Sequence, residues 1–182
     1  MLKLAVSIAC LLGAFPLVHP AAAAPDAPVA AQVGAPLDAD TLGHVKDLFH
    51  QLMELANRHD VEAIRGMFWD SPSALIVAKS VDPAEGNWAG FWGIDAVTQK
   101  IRDIAAGGPV QLFPDYSRLK AVGISSTVAE TYSPMQIAVS YGGQDPAPHP
   151  FIMIVDWLNT ASGWKIASEI ILPVPPAPAG KS

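Results

Sequence analysis

The sequence predicts an α+β domain, with a helical layer on a mostly antiparallel sheet. Three observations carry this. Up to residue 106, apolar residues recur at steps of three and four. After Pro109 they fall into runs of strand length divided by turn residues, and Gly107-Gly108-Pro109 separates the two halves. Of the 182 residues 51% are hydrophobic and only 15% charged, below the roughly 25% of an ordinary domain, which excludes a solvated disordered chain. Seventeen acidic against eleven basic residues give a net charge of −6 with no basic block, which argues against nucleic-acid binding by phosphate neutralisation.

The first helix runs from Asp38 to Asn57, with Leu42, Val45, Phe49, Leu52 and Ala56 on one face and Asp38 or Asp40 as its cap. Asp60 opens a second, shorter helix through Val61, Ile64, Met67 and Phe68, stopped at Asp70-Ser71-Pro72. Ala74 to Ala78 reads as a strand, and 80–93 as a loop loaded with Trp88, Phe91 and Trp92. A third helix spans Asp95 to Ala106 and ends at the Gly-Gly-Pro. Strands follow over 110–122, 126–133, 135–142, 150–159 and 163–172, with turns at Gly123, Ser133-Pro134, Gly142-Gly143 and Thr160 to Gly163. Phe151-Ile152-Met153-Ile154-Val155 is apolar at every position, so both faces of that strand are expected to be covered. Helices take one face; a second copy of the sheet is the simplest cover for the other, and a homodimer is expected.

The ends differ from the domain. Met1-Leu2-Lys3, an apolar stretch to Val18 and the small residues Ala21 to Ala24 have the layout of a secretory signal peptide over 1–24. Cleavage is expected near Ala23 or Ala24, and Pro25 favours Ala23. A retained anchor, or lipid attachment at Cys10, are the alternatives. Cleavage would remove the single cysteine and Lys3, taking the charge to −7 and excluding cysteine catalysis and thiolate metal sites. The expected location is periplasmic or secreted. Residues 25–37 read as a flexible Ala/Pro-rich leader, 38–172 as the domain and 173–182 as a Pro-rich tail.

Four features resemble the NTF2-like superfamily, in its SnoaL-like or DUF4440-like bacterial branch. They are a long helix ending in Ala56-Asn-Arg-His-Asp60 and continuing to Met67-Phe68, the helix start Gly93-Ile-Asp-Ala-Val97, the run of sheet hairpins, and a closing Gly163-Trp-Lys-Ile166 strand. The resemblance implies a cone: three helices against a strongly bent sheet that wraps an apolar pocket. It does not imply one reaction, because members include isomerases, dehydratases and non-catalytic binders, so function rests on the pocket.

Ketosteroid isomerases of this superfamily carry a tyrosine eight residues before the acid that opens the second helix, and a general base sixteen residues after it. Those positions here are Leu52 and Ile76, so neither the hydroxyl nor the base of that chemistry is present. Their second acid, nine residues before the lysine of the closing turn, corresponds to Asp156. A carboxylate there, between Val155 and Trp157, would be costly to bury without partners, and bonding to a neighbouring strand or facing solvent is the competing reading. SnoaL-like sequences place histidines four and six residues after the tryptophan, where this chain has Ser168 and Ile170. Strict alternation puts Trp164, Ile166, Ser168 and Ile170 on one face and Lys165, Ala167, Glu169 and Ile171 on the other. Glu130 and Tyr132 share a face and are candidates for the pocket rim; Trp88 and Trp92, with Phe91, are candidates for an aromatic clamp at its mouth.

His44, His50, His59 and His149 are too scattered for a metal site, and no phosphate-loop, dinucleotide or Gly-x-Ser-x-Gly motif implies a cofactor. The leading expectation is an exported domain that binds a small hydrophobic molecule without isomerase chemistry. The alternatives are a lyase, hydratase or isomerase using Asp156 with Tyr132 or Glu130, and an interaction module whose cone is filled by its own side chains.

Overall fold

Capping starts the first helix where the sequence places it. The Asp38 carboxylate accepts from Thr41 N at 2.7 Å, and α1 runs Ala39–Asn57 with Val45, Phe49, Leu52, Met53 and Leu55 buried. The computed structural model describes residues 37–78, 90–139 and 147–175. The expected signal peptide and all but the last residue of the leader, Trp88, the Gly142-Gly143 turn and the tail beyond 175 lie outside the described residues. Asp60 caps α2 (Val61–Met67), accepting from Ala63 N at 3.1 Å, after His59 takes a left-handed φ of 55° to turn the chain. Asn57 then pins the end of α1 to the sheet: its Oδ1 accepts from Leu112 N at 2.7 Å, and its Nδ2 donates to Leu112 O at 3.0 Å.

β1 (Leu75–Ala78) is followed by β2 (Phe91–Trp92), a two-residue strand within the stretch read as loop. α3 (Ile94–Gly107) begins after Gly93, whose φ of 89° suits glycine and lets its N–H donate to Ala74 O at 2.8 Å. The remaining strands are β3 (Val110–Pro114), β4 (Lys120–Gly123), β5 (Val128–Val139), β6 (His149–Thr160) and β7 (Gly163–Pro173). They form a strongly curled sheet in the order β2-β1-β7-β6-β5-β3, with β4 also paired to β5. All pairs are antiparallel except β1 with β7. The helices cover the inner face in one continuous core.

Two strand boundaries differ from expectation, for one local reason. The strand expected over 110–122 is split by a single 3₁₀ turn (Tyr116–Arg118) that Asp115 caps through Ser117 N and Ser117 Oγ. The strands expected over 126–133 and 135–142 are one strand that runs straight through Ser133-Pro134. Pro134 stands opposite the gap between β3 and β4, where its carbonyl accepts from Asp115 N at 2.9 Å and its missing N–H costs no ladder bond.

β6 divides its apolar run between the two faces of the sheet. Phe151, Met153, Val155 and Trp157 are buried inward, whereas Ile152, Ile154 and Leu158 are only half-buried on the outer face of this chain.

Candidate functional site

Whether a side chain enters the cone depends on strand parity, and one irregularity resets it. β6 and β7 pair regularly up to Asp156 opposite Ser168, but Trp157 stands opposite Ile166, leaving Ala167 as the extra residue of a β-bulge. Ile166 faces inward before the bulge, and Glu169 faces inward after it. Ser168 and Ile170 therefore turn to the outer face, which corrects the strict alternation that grouped them with Ile166. The parity break leaves a faint trace in the sequence: small Ala167-Ser168 and apolar Ile170-Ile171 each occupy consecutive positions.

Across the inner face, Thr131, Val155, Glu169, Ile76 and Phe91 are successive cross-strand neighbours. Glu169 is 6% exposed and is the one charged side chain among the buried described residues. Burial pushes its carboxyl up from the ordinary carboxylate range to about 7. Its polar neighbours on this face are already engaged. Thr131 Oγ1 accepts from Trp157 Nε1 at 2.9 Å and faces Val155 O at 3.5 Å, and Ser133 Oγ donates to Pro134 O at 3.1 Å. Leu52 and Ile76, at 1% and 2% exposure, lie in the same core, so the ketosteroid-isomerase positions are aliphatic and inside.

Along β1 and β7 burial falls away beyond this row, from Ile166 and Ile76 to the half-buried Ile171 and Ala78, which are cross-strand partners. Glu169 thus stands between the fully buried Trp157 layer and a row in which Ser133 and Met153 are buried while Ile171 and Ala78 are half-buried.

The remaining sequence candidates gather on the opposite face. Val122, Glu130, Asp156, Ser168, Leu75 and Trp92 form one row across the outer surface. Ser168 Oγ donates to Asp156 Oδ2, and Tyr132 lies one row away beside Lys120. Asp156 therefore bonds a neighbouring strand, the competing reading of the sequence, rather than entering the cone: it alternates with Val155 and Trp157, both fully buried inward. Lys120, Val122, Glu130 and Tyr132 line a shallow groove of about 270 Å³ on this outer surface, so Glu130 and Tyr132 rim that groove. Trp92 is 63% exposed, a position that does not close on the core.

The described histidines serve structure where they make contacts. His50 stacks on Tyr116 with centroids 4.1 Å apart, and His59 Nε2 lies 3.3 Å from Val110 O. Among the described residues no group of three His, Cys, Asp or Glu comes together to hold a metal.

No family model matches the sequence, and no curated protein matches it. Solved structures do. An NTF2-like superfamily protein from Salmonella enterica superposes with a TM-score of 0.65 at 10% identity, covering 80% of this chain and 99% of its own. A ketosteroid isomerase-like protein from Erwinia carotovora atroseptica gives 0.61 at 14% identity, over 76% of this chain and 100% of its own. A candidate dehydratase of the NTF2-like family from Streptomyces avermitilis gives 0.61 at 17%, over 75% and 99%. At these identities the likeness is one of fold, and the chain has the NTF2-like cone fold.

Proposed function

We propose that this NTF2-like cone takes a small hydrophobic molecule into its interior and holds it at one polar point, Glu169, without classical isomerase chemistry. The observation that carries the reading is the carboxyl itself, buried on the inner face between its apolar cross-strand neighbours Val155 and Ile76. A carboxyl buried among apolar side chains is costly, and such groups concentrate at functional sites. Leu52 and Ile76 support binding over turnover, since both stand where proton transfer beside a carbonyl needs polar groups.

Octan-1-ol is a suitable minimal ligand. At ten times its dissociation constant it should stabilise the protein by about 1.4 kcal/mol, a shift of a few degrees in Tm. Ala78→Trp, a bulky side chain at the half-buried end of the row next to Glu169, should abolish the shift. No stabilisation by any alkanol from six to twelve carbons would overturn the reading.

A second reading is favoured by the near-neutral Glu169 carboxyl, which suits proton transfer. It makes the protein a single-base isomerase or lyase, with Glu169 in the role expected of Asp156. The ketosteroid isomerase-like and dehydratase-named neighbours make that chemistry compatible with the fold. Glu169→Gln separates the two: an enzyme loses orders of magnitude in rate, whereas a binder changes affinity by about one hydrogen bond.

We also propose that two copies pair through the outer face. Half-buried Ile152, Ile154, Leu158 and Ile170 form its apolar centre, and Lys120 lies on the same face as Glu130 and Asp156, so a second copy can match cation to carboxylate. Sedimentation should show a dimer at micromolar concentration that Ile154→Arg dissociates. A clean monomer would refute the pairing.

A further inference from the structure

We infer that the pairing of two copies through the outer face is switched by protons, and that the switch is the carboxyl pair of Asp156 and Glu130. Association takes up a proton in each copy and is favoured by acid, an inference that rests on the pairing proposed above. Position comes first. Asp156 lies between Ile154 and Leu158 on the outer side of β6, and all three are half-buried in the single chain. A second copy that covers both apolar residues covers the carboxyl between them, whatever its orientation. On β7 the outer neighbours are Ser168 and Ile170, opposite Asp156 and Ile154. The carboxyl thus stands inside the apolar centre of the face, not at its rim.

The charges that share this face do not balance. Glu130 stands directly opposite Asp156 on β5, where like charges repel, and β5 adds the phenol of Tyr132 one row away. β4 brings one ammonium group, Lys120. β7 brings Ser168, whose hydroxyl donates to Asp156 Oδ2, and Lys165, which lies opposite Leu158 and donates to Gly66 O at 2.7 Å. β1 and β2 contribute Leu75, Val77 and Trp92, and Glu169 faces the other side of the sheet. With two carboxylates and one Lys120 from each chain, a pair of copies encloses four carboxylates against two ammonium groups. One carboxylate in each copy lacks a cation.

On the outer face of a single chain, water and salt screen that excess. Covering the face removes the screening, and both burial and a neighbouring like charge favour the protonated form of a carboxyl. One proton per copy then relieves the excess. It belongs to the Asp156–Glu130 pair rather than to either residue alone, and Ser168 leaves Asp156 Oδ1 open to share it. The dimer holds more protons than two separate chains, so affinity falls as pH rises.

Sedimentation equilibrium of the intact protein at pH 5.5, 6.5, 7.5 and 8.5, in high salt with a chelator present, tests the switch. The dissociation constant of the dimer should be lower at pH 5.5 than at pH 8.5 by about tenfold or more. Asp156→Asn keeps an acceptor for Ser168 but removes the charge. It should tighten the dimer at pH 8.5 and flatten the series. Asp47→Asn, on the exposed side of α1, changes the net charge equally and should leave the slope in place, which separates the switch from general repulsion between two acidic chains. A dissociation constant that does not change with pH, or a slope that survives in Asp156→Asn, would overturn the switch and leave the pairing standing. A clean monomer at every pH would overturn the pairing and the switch with it. Dilution calorimetry of the unmodified chain in two buffers of different ionisation enthalpy counts the protons directly, even if the variant folds poorly. No proton released on dissociation would overturn the switch.

Discussion

Glu169→Leu is expected to make the protein more stable at pH 8 by about 3 kcal/mol over and above any difference it makes at pH 4. The Glu169 carboxyl is raised by burial from an ordinary 4.5 to about 7. Below pH 4.5 it is protonated in both folded and unfolded chains and contributes no pH dependence. Between 4.5 and 7 the unfolded chain releases the proton and the folded chain keeps it. The unfolded state then binds fewer protons, so stability falls as pH rises, and above 7 the deficit is constant. Leucine has no such titration, fills much of the same volume and removes the buried charge. Urea unfolding of both proteins at unit steps from pH 4 to pH 8 measures the effect. A difference between the two that does not change over this range would mean that Glu169 is solvated or paired in solution, and the buried-carboxyl reading would fall.

Trp157→Ala should cost about 4 kcal/mol, the largest single loss expected in the domain. Trp157 is fully buried and is the largest side chain in the core. Its indole N–H donates to Thr131, tying β6 to β5 at the layer below Glu169. Alanine opens a cavity that the surrounding sheet and helices can only partly close, and it leaves the Thr131 hydroxyl with Val155 O as its remaining partner. Trp157→Phe keeps most of the volume and should cost about 1–2 kcal/mol. Denaturant midpoints, read with the slope to confirm two-state behaviour, check both values. A loss under about 1 kcal/mol for the alanine variant would show that this layer is not close-packed. A double-mutant cycle with Thr131→Val would isolate the indole–hydroxyl bond from the packing.

The helices were legible in the sequence because their causes are local. Asp38 and Asp60 cap where a carboxylate beside a free N–H must help, and steps of three and four residues placed Val45, Phe49, Leu52 and Ile64 inward. The strands were legible in number, less so in extent. Proline suggested a turn at Ser133-Pro134, but Pro134 pairs with Ile152 on one side and faces the gap between β3 and β4 on the other, where its missing N–H breaks no ladder. The aliphatic identity of the isomerase positions, Leu52 and Ile76, was also readable, and both lie in the core.

Side-chain direction on the last strand was not readable. Alternation carries parity only while each residue has one partner, and the extra residue at Ala167 belongs to the pairing of two strands rather than to either alone. The sequence by itself determined an α+β cone with an aliphatic interior and no isomerase base at the expected place. Tertiary structure alone decided which carboxylate the cone encloses. A single bulge rotates Ser168 outward to Asp156 and Glu169 inward against Ile76, because one added residue reverses every side chain that follows it.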